Sequence, residues 1–112
     1  MKRTPLVSGS RSTSGLSEIF EVAADAGLSL YLDVSAVSGD DPTLDVTFQE
    51  SPDGGATWFD RAAFSRMTAA GREPLAVADG AMAGLSRIRY AIGGSDPSFT
   101  FGIIVVSAPW SR

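Results

Sequence analysis

Four segments of this chain alternate apolar and polar residues with a period of two, and that pattern restricts the fold more than any other feature. In residues 28–38, Leu28, Leu30, Leu32, Val34 and Ala36 alternate with Ser29, Tyr31, Asp33 and Ser35. In residues 43–50, Leu44, Val46 and Phe48 alternate with Thr43, Asp45, Thr47 and Gln49. Residues 85–92 place Ile88, Tyr90 and Ile92 opposite Arg87, Arg89 and Ala91. Residues 98–107 place Phe99, Phe101, Ile103 and Val105 on one face. Period-two alternation describes strands with one face in a core and one in water. The last segment also carries Ile104 and Val106 on its other face, so it is expected to be buried on both sides or to offer one side to a partner.

Weaker strand signals lie at residues 19–22, 57–64 and 75–78, with a short strand around Leu6 and Val7. The Ala-rich run at residues 61–70 ends in Gly71 and supports at most one helical turn. Turn residues separate the segments at Asp25-Ala26-Gly27, Gly39-Asp40-Asp41-Pro42, Pro52-Asp53-Gly54-Gly55, Asp79-Gly80 and Gly93-Gly94-Ser95-Asp96-Pro97. Short strands punctuated this way suggest a sandwich or a small barrel. The expected fold is all-β, an antiparallel β-sandwich of seven or eight strands, Ig-like or jelly-roll-like. Its expected core is Leu30, Leu32, Val34, Leu44, Val46, Phe48, Ile88, Tyr90, Ile92, Phe99, Phe101, Ile103 and Val105.

A chain of 112 residues fits one domain. With 44% hydrophobic and 20% charged residues it is globular rather than disordered. No run of about 18 apolar residues suggests a membrane helix. The basic N-terminus lacks the apolar stretch of a signal peptide. The chain has neither cysteine nor histidine. Disulfides, thiolate metal sites, thiol nucleophiles, Ser-His-Asp triads and zinc sites are therefore excluded, and no enzyme is expected. The net charge of −4 is unevenly spread. Residues 1–15 carry Lys2, Arg3 and Arg11 and no acid, whereas the rest carries six arginines and thirteen acids. The expected organisation is a basic, flexible arm at 1–15 and a β-sandwich domain at 16–112. A basic arm on an acidic body suits docking on an acidic surface better than binding nucleic acid.

The most specific local pattern is Ser51-Pro52-Asp53-Gly54-Gly55-Ala56-Thr57-Trp58, which resembles the Asp box of sialidases and other propellers. Its mechanics are those of a hairpin. Asp53 accepts backbone N–H bonds, Gly54 and Gly55 supply positive φ, and Trp58 plugs the turn against the core. One copy cannot build a propeller, so Ser51, Asp53, Gly54, Gly55 and Trp58 are expected to be a structural turn. Asp40, Asp41, Asp53, Asp79 and Asp96 could supply oxygen ligands to calcium, but their spacing matches no calcium loop and turn capping is the commoner role. Nothing sets two carboxylates across a groove as a glycosidase requires. Tyr31, Trp58, Phe59 and Trp110 are the aromatics that could stack on a sugar, and at least one of the adjacent Trp58 and Phe59 must be exposed or bulged. Arg87 and Arg89 share an outer face, where cross-strand pairing is the common arrangement.

Together, LDVTFQESPDGGATWFD and RIRYAIGGSDPSFTFGIIV resemble small β-sandwich accessory proteins of tailed-phage virions and gene-transfer agents, over residues 44–106. The matching positions are Gln49, Ser51, Asp53, Gly54, Trp58, Arg87, Arg89, Gly93, Gly94, Ser98, Phe99, Thr100 and Phe101. The resemblance implies a non-catalytic structural protein of the virion, assembled in the host cytoplasm. Capsid decoration is the expected role, with the major capsid protein or another virion protein as partner and self-association on the particle. It implies no cofactor, nucleic acid or membrane. Lys2, Arg3, Arg11, Trp110 and Arg112 are the expected interface residues, and deleting residues 1–15 is expected to abolish particle binding while leaving the fold intact. The alternatives are a tail or head–tail structural protein, or a carbohydrate-binding module.

Overall fold

A computed structural model describes residues 2–21, 28–77 and 85–107. Its strands are β1 (Lys2–Arg11), β2 (Gly15–Leu16), β3 (Phe20–Glu21), β4 (Leu28–Ser51), β5 (Phe59–Ala63), β6 (Gly71–Val77) and β7 (Leu85–Ser107). They form one antiparallel sheet with the path β1-β7-β4-β5, to which β2 and β3 attach along β7 and β6 attaches along β4. There is no helix among the described residues, so the Ala-rich run is divided between β5 and a loop that bridges back from Met67 to Leu44. The turns expected at residues 25–27 and 79–80 lie outside the described residues, as do Val22 and Ala78.

The chief difference from expectation is continuity. Residues 28–38 and 43–50 belong to the single strand β4, and residues 85–92 and 98–107 to β7. The two run antiparallel from Leu28↔Ser107 to Ser51↔Leu85 as one long ribbon. The turn signals at Gly39–Pro42 and Gly94–Pro97 fall inside it, opposite one another, with Asp40 across from Ser95. Gly39, Asp41, Gly94 and Asp96 have positive φ there, and the register slips on both sides of Asp40. Paired irregularities of this kind bend a ribbon instead of ending it.

The bend is sharp. Tyr90 and Phe101 are eleven residues apart on β7, which in an extended strand would separate them by roughly 36 Å. Their rings meet edge to face at 5.3 Å. The ribbon therefore doubles back, and its two halves bury facing side chains. Leu30, Leu32, Val34, Phe99, Phe101, Ile103 and Val105 come from one half, and Leu44, Val46, Phe48 and Ile88 from the other. All eleven belong to the expected core. Tyr90 and Ile92 are only partly buried, packed against it near the bend. Leu28 joins them from the start of β4, and Leu6, Phe20, Phe64 and Val77 complete the core from segments with weaker or broken alternation.

The N-terminal segment is a correction. Residues 2–11 do not stand free as an arm; they pair along β7 from Lys2↔Val106 to Arg11↔Phe99 and bury Leu6. Two register shifts, on either side of Leu6, break the alternation that would have marked this strand in the sequence. Deleting it would strip a core side chain and bare one edge of β7, so the truncated chain cannot be expected to keep its fold.

Candidate functional site

Arg11 is the most heavily engaged of the expected interface residues. Its guanidinium donates to the carbonyls of Phe101 (2.7 Å), Val7 (2.8 Å) and Gly9 (3.1 Å). It lies 4.8 Å from the Phe101 ring centroid and 5.7 Å from that of Tyr90. A planar fork of donors suits such a convergence of carbonyls. Arg11 therefore fastens the bulged stretch of β1 to β7, a structural duty beside the docking role expected of it. Arg3, near the other end of β1, is half-exposed and ion-paired to Glu18 at 3.6 Å. Lys2 lies on β1 beside it. Arg3 and Arg11 thus do not share a patch. Trp110 and Arg112 lie outside the described residues.

The Asp-box turn forms as expected at its polar end. The Ser51 hydroxyl, fully buried, donates to Asp53 Oδ1 at 2.7 Å and accepts from the Gly55 amide at 2.8 Å. The Thr57 amide donates to the same Asp53 oxygen at 2.8 Å. Gly54 and Gly55 have φ of +76° and +100°. The bond from Ser51, and then those from Thr57, hold the Asp53 carboxyl below its ordinary value of 3.8. A lowered folded-state pKa means that the turn's contribution is complete above the unfolded value and lost as pH falls through the folded one. The turn's share of the stability is therefore expected to be lost as pH falls below the ordinary value of 3.8, and Asp53→Asn should make that acid limb shallower. Matching acid limbs in urea titrations of the two proteins would remove Asp53 from this role.

Trp58 departs from expectation. It does not plug the core but lies half-buried on the outer face, beneath the Arg87 guanidinium at 4.1 Å. Arg87 Nε donates to Gln49 Oε1 and Gln49 Nε2 to Asp60 Oδ1, both at 2.8 Å. Gln49 and Arg87 are cross-strand register partners, so this chain of contacts ties β4, β5 and β7 together. It uses the Gln49 amide as acceptor and as donor, and the face of Trp58, leaving Phe59 as the exposed aromatic of the pair. Asp40, Asp41 and Asp96 sit at the ribbon's bend, and among the described residues no group of three acidic side chains is placed to hold an ion.

A concavity lies on the opposite outer face, over the half of the sheet built from β1, residues 98–107, residues 28–38 and β6. It encloses about 520 Å³. Its floor follows cross-strand neighbours: Pro74, Tyr31 and Ile104 in one row, and Arg72, Asp33 and Gly102 in the next. Gly102 lets a wall stand close to this floor. A Cβ there would stand 2.8 Å from the Ser8 amide nitrogen and 3.1 Å from the Leu6 carbonyl, so the bulged backbone of β1 leans over the floor as a wall. Arg72 and Asp33 are ion-paired at 3.2 Å on the opposite side. The Glu73 carboxylate accepts the Ser65 amide at 3.0 Å, which steadies that wall. Tyr31 is 46% exposed and Ile104 37%.

Tyr31 was among the aromatics singled out in the sequence, and Ile104 marked the second apolar face of the last strand. Pro74, Gly102 and the Arg72–Asp33 pair were missed, because only the register of β4 against β6 and β7 brings them together. No family model matches the chain, and no curated protein matches it.

Proposed function

We propose that this chain is a structural protein of a tailed-phage particle, decorating the capsid by binding the lattice of the major capsid protein. One observation carries the reading. The two segments that resemble virion accessory proteins are partners in the long ribbon, with Gln49 opposite Arg87 and Leu44 opposite Ile92. The resemblance therefore falls on the central framework of the fold. In the same reading the doubled-over sheet is an eight-stranded sandwich. One layer is β1, residues 98–107, residues 28–38 and β6. The other is β2 with β3, residues 85–92, residues 43–51 and β5.

A small rigid module suits this role. Binding only the assembled lattice stabilises that state by mass action, and many weak copies act together. The exposed ends of β1, with Arg3 and the largely exposed Val7, offer contact surface without unfolding the strand. Mixing purified protein with capsids that lack it, followed by cryo-electron microscopy, is expected to show density at repeated lattice positions. Arg3→Glu is expected to reduce occupancy while leaving the melting temperature within a few degrees. Density confined to the neck or tail would move the role to the tail, and bare particles would overturn the reading.

A further inference from the structure

We infer that the groove over Tyr31 is a binding site for an uncharged oligosaccharide. The inference concerns the isolated protein and does not rest on the particle reading above.

Three features select the ligand. The first is position. The floor strands β4 and β7 are central in this half of the sheet, with β1 and β6 on their flanks. Their backbone groups are committed to neighbours, so an extended peptide has no free edge to join, and recognition must come from side chains. The second is size. A cavity near 520 Å³ lies within the range of about 300–1,000 Å³ typical of small-ligand sites. A stable protein interface needs about 800 Å² from each partner, and the exposed apolar floor here is little more than Tyr31, Ile104 and Pro74.

The third feature is chemistry. The ligand would meet an aromatic and aliphatic floor and a rim bearing both donors and acceptors. Arg72 offers guanidinium N–H groups, Asp33 and Glu73 offer carboxylate oxygens, and Thr4 and Ser8 on the other wall offer hydroxyls. Among the described rim residues the one cation, Arg72, is paired with an acid, so neither an anionic nor a strongly cationic ligand is matched. A pyranose has the complementary form, with an apolar C–H face to lie on Tyr31 and hydroxyls around its edge. Gly102 lets the β1 backbone close in on the floor, which brings the Thr4 and Ser8 wall near the ring's edge.

The test is saturation-transfer NMR and calorimetry on the full chain with four probes: cellohexaose, maltohexaose, xylohexaose and N-acetylchitohexaose. At least one is expected to bind, with saturation strongest on its ring C–H protons. Tyr31→Ala should weaken binding about tenfold or more, and Ile104→Ala should weaken it less. Tyr31→Phe, which keeps the ring, should retain it. Phe59→Ala, which removes an exposed aromatic outside the groove, should leave it unchanged. Failure of all four sugars to bind, or binding indifferent to Tyr31→Ala, overturns the inference. So does a concentration-dependent dimer that Tyr31→Ala dissolves, since the groove would then be an interface between copies.

Discussion

Arg11→Ala is expected to lower the unfolding free energy by about 2–3 kcal/mol, the scale of several charge-assisted hydrogen bonds and one partly desolvated cation–π contact. In a domain of this size that corresponds to a fall in melting temperature of about 10 °C. The loss exceeds that of an ordinary surface arginine because three carbonyls, those of Val7, Gly9 and Phe101, share this one guanidinium. Two of them belong to the bulged stretch of β1, where the register to β7 slips and ladder bonds are interrupted. The same group rests against Phe101, which is fully buried and also receives the Tyr90 ring. Removing it loosens β1 and uncovers the contact between the two halves of the ribbon together. Arg11→Lys should recover little, since one ammonium cannot span the three acceptors. Arg66→Ala is the control. Arg66 pairs with Asp45 on the exposed surface at 2.8 Å, and its removal should be almost silent. Urea denaturation of the three variants checks this, and a loss at Arg11→Ala no greater than at Arg66→Ala would sink the fastening role.

The alternating strands were legible because burial acts on every second residue and leaves its period in the sequence. Leu30, Leu32 and Val34 and then Leu44, Val46 and Phe48 could be assigned to the core on that ground alone. β7 changes parity between its two halves. Ile88 and Tyr90 face inward on even positions, and Phe99 to Val105 on odd ones, so the segment between them must contribute an irregularity. What could not be read was whether Gly39–Pro42 and Gly94–Pro97 end strands or bend them. A Gly-x-Asp-Pro tetrapeptide has the same local chemistry in a reversal and in a bulge. The available hint was that the tetrapeptide occurs twice, and the structure sets the two copies against each other. Apart from the short strand expected around Leu6 and Val7, β1 was hidden for a different reason. Its bulges scramble the alternation, and its basic and small residues have the composition of a loose terminus. The Asp-box hydrogen bonds followed from the motif, because they lie within seven residues. The groove did not, since its floor is assembled from residues 31, 74, 102 and 104 by register alone.

The doubled Gly-x-Asp-Pro bend yields the second large effect. Gly39→Ala and Gly94→Ala are each expected to cost about 3 kcal/mol or more, from backbone strain together with steric overlap. Their φ values are +111° and +110°, which an L side chain rarely adopts. Space is also lacking. A Cβ on Gly39 would stand 2.6 Å from the Asp96 carbonyl oxygen and 2.8 Å from the Pro97 Cα. On Gly94 it would stand 2.7 Å from the Asp41 carbonyl oxygen and 2.9 Å from the Pro42 Cα. Each glycine is thus closed in by the Asp-Pro pair of the opposite strand, and relief requires the two strands to part at the bend. Asp41 and Asp96 give the contrast. Their φ of +49° and +48° lie in the left-handed region that aspartate tolerates, and glycine there relieves strain while freeing the unfolded chain. Asp41→Gly and Asp96→Gly should therefore shift stability by no more than about 1 kcal/mol in either direction. The alanine variants should also lose the close Tyr90–Phe101 packing before they lose their strands, seen as a fall in near-ultraviolet circular dichroism ahead of the far-ultraviolet signal. If both alanine variants stay within about 1 kcal/mol of the parent, the bend is not held by these glycines, and the facing of the two half-sheets must be driven by the core side chains alone.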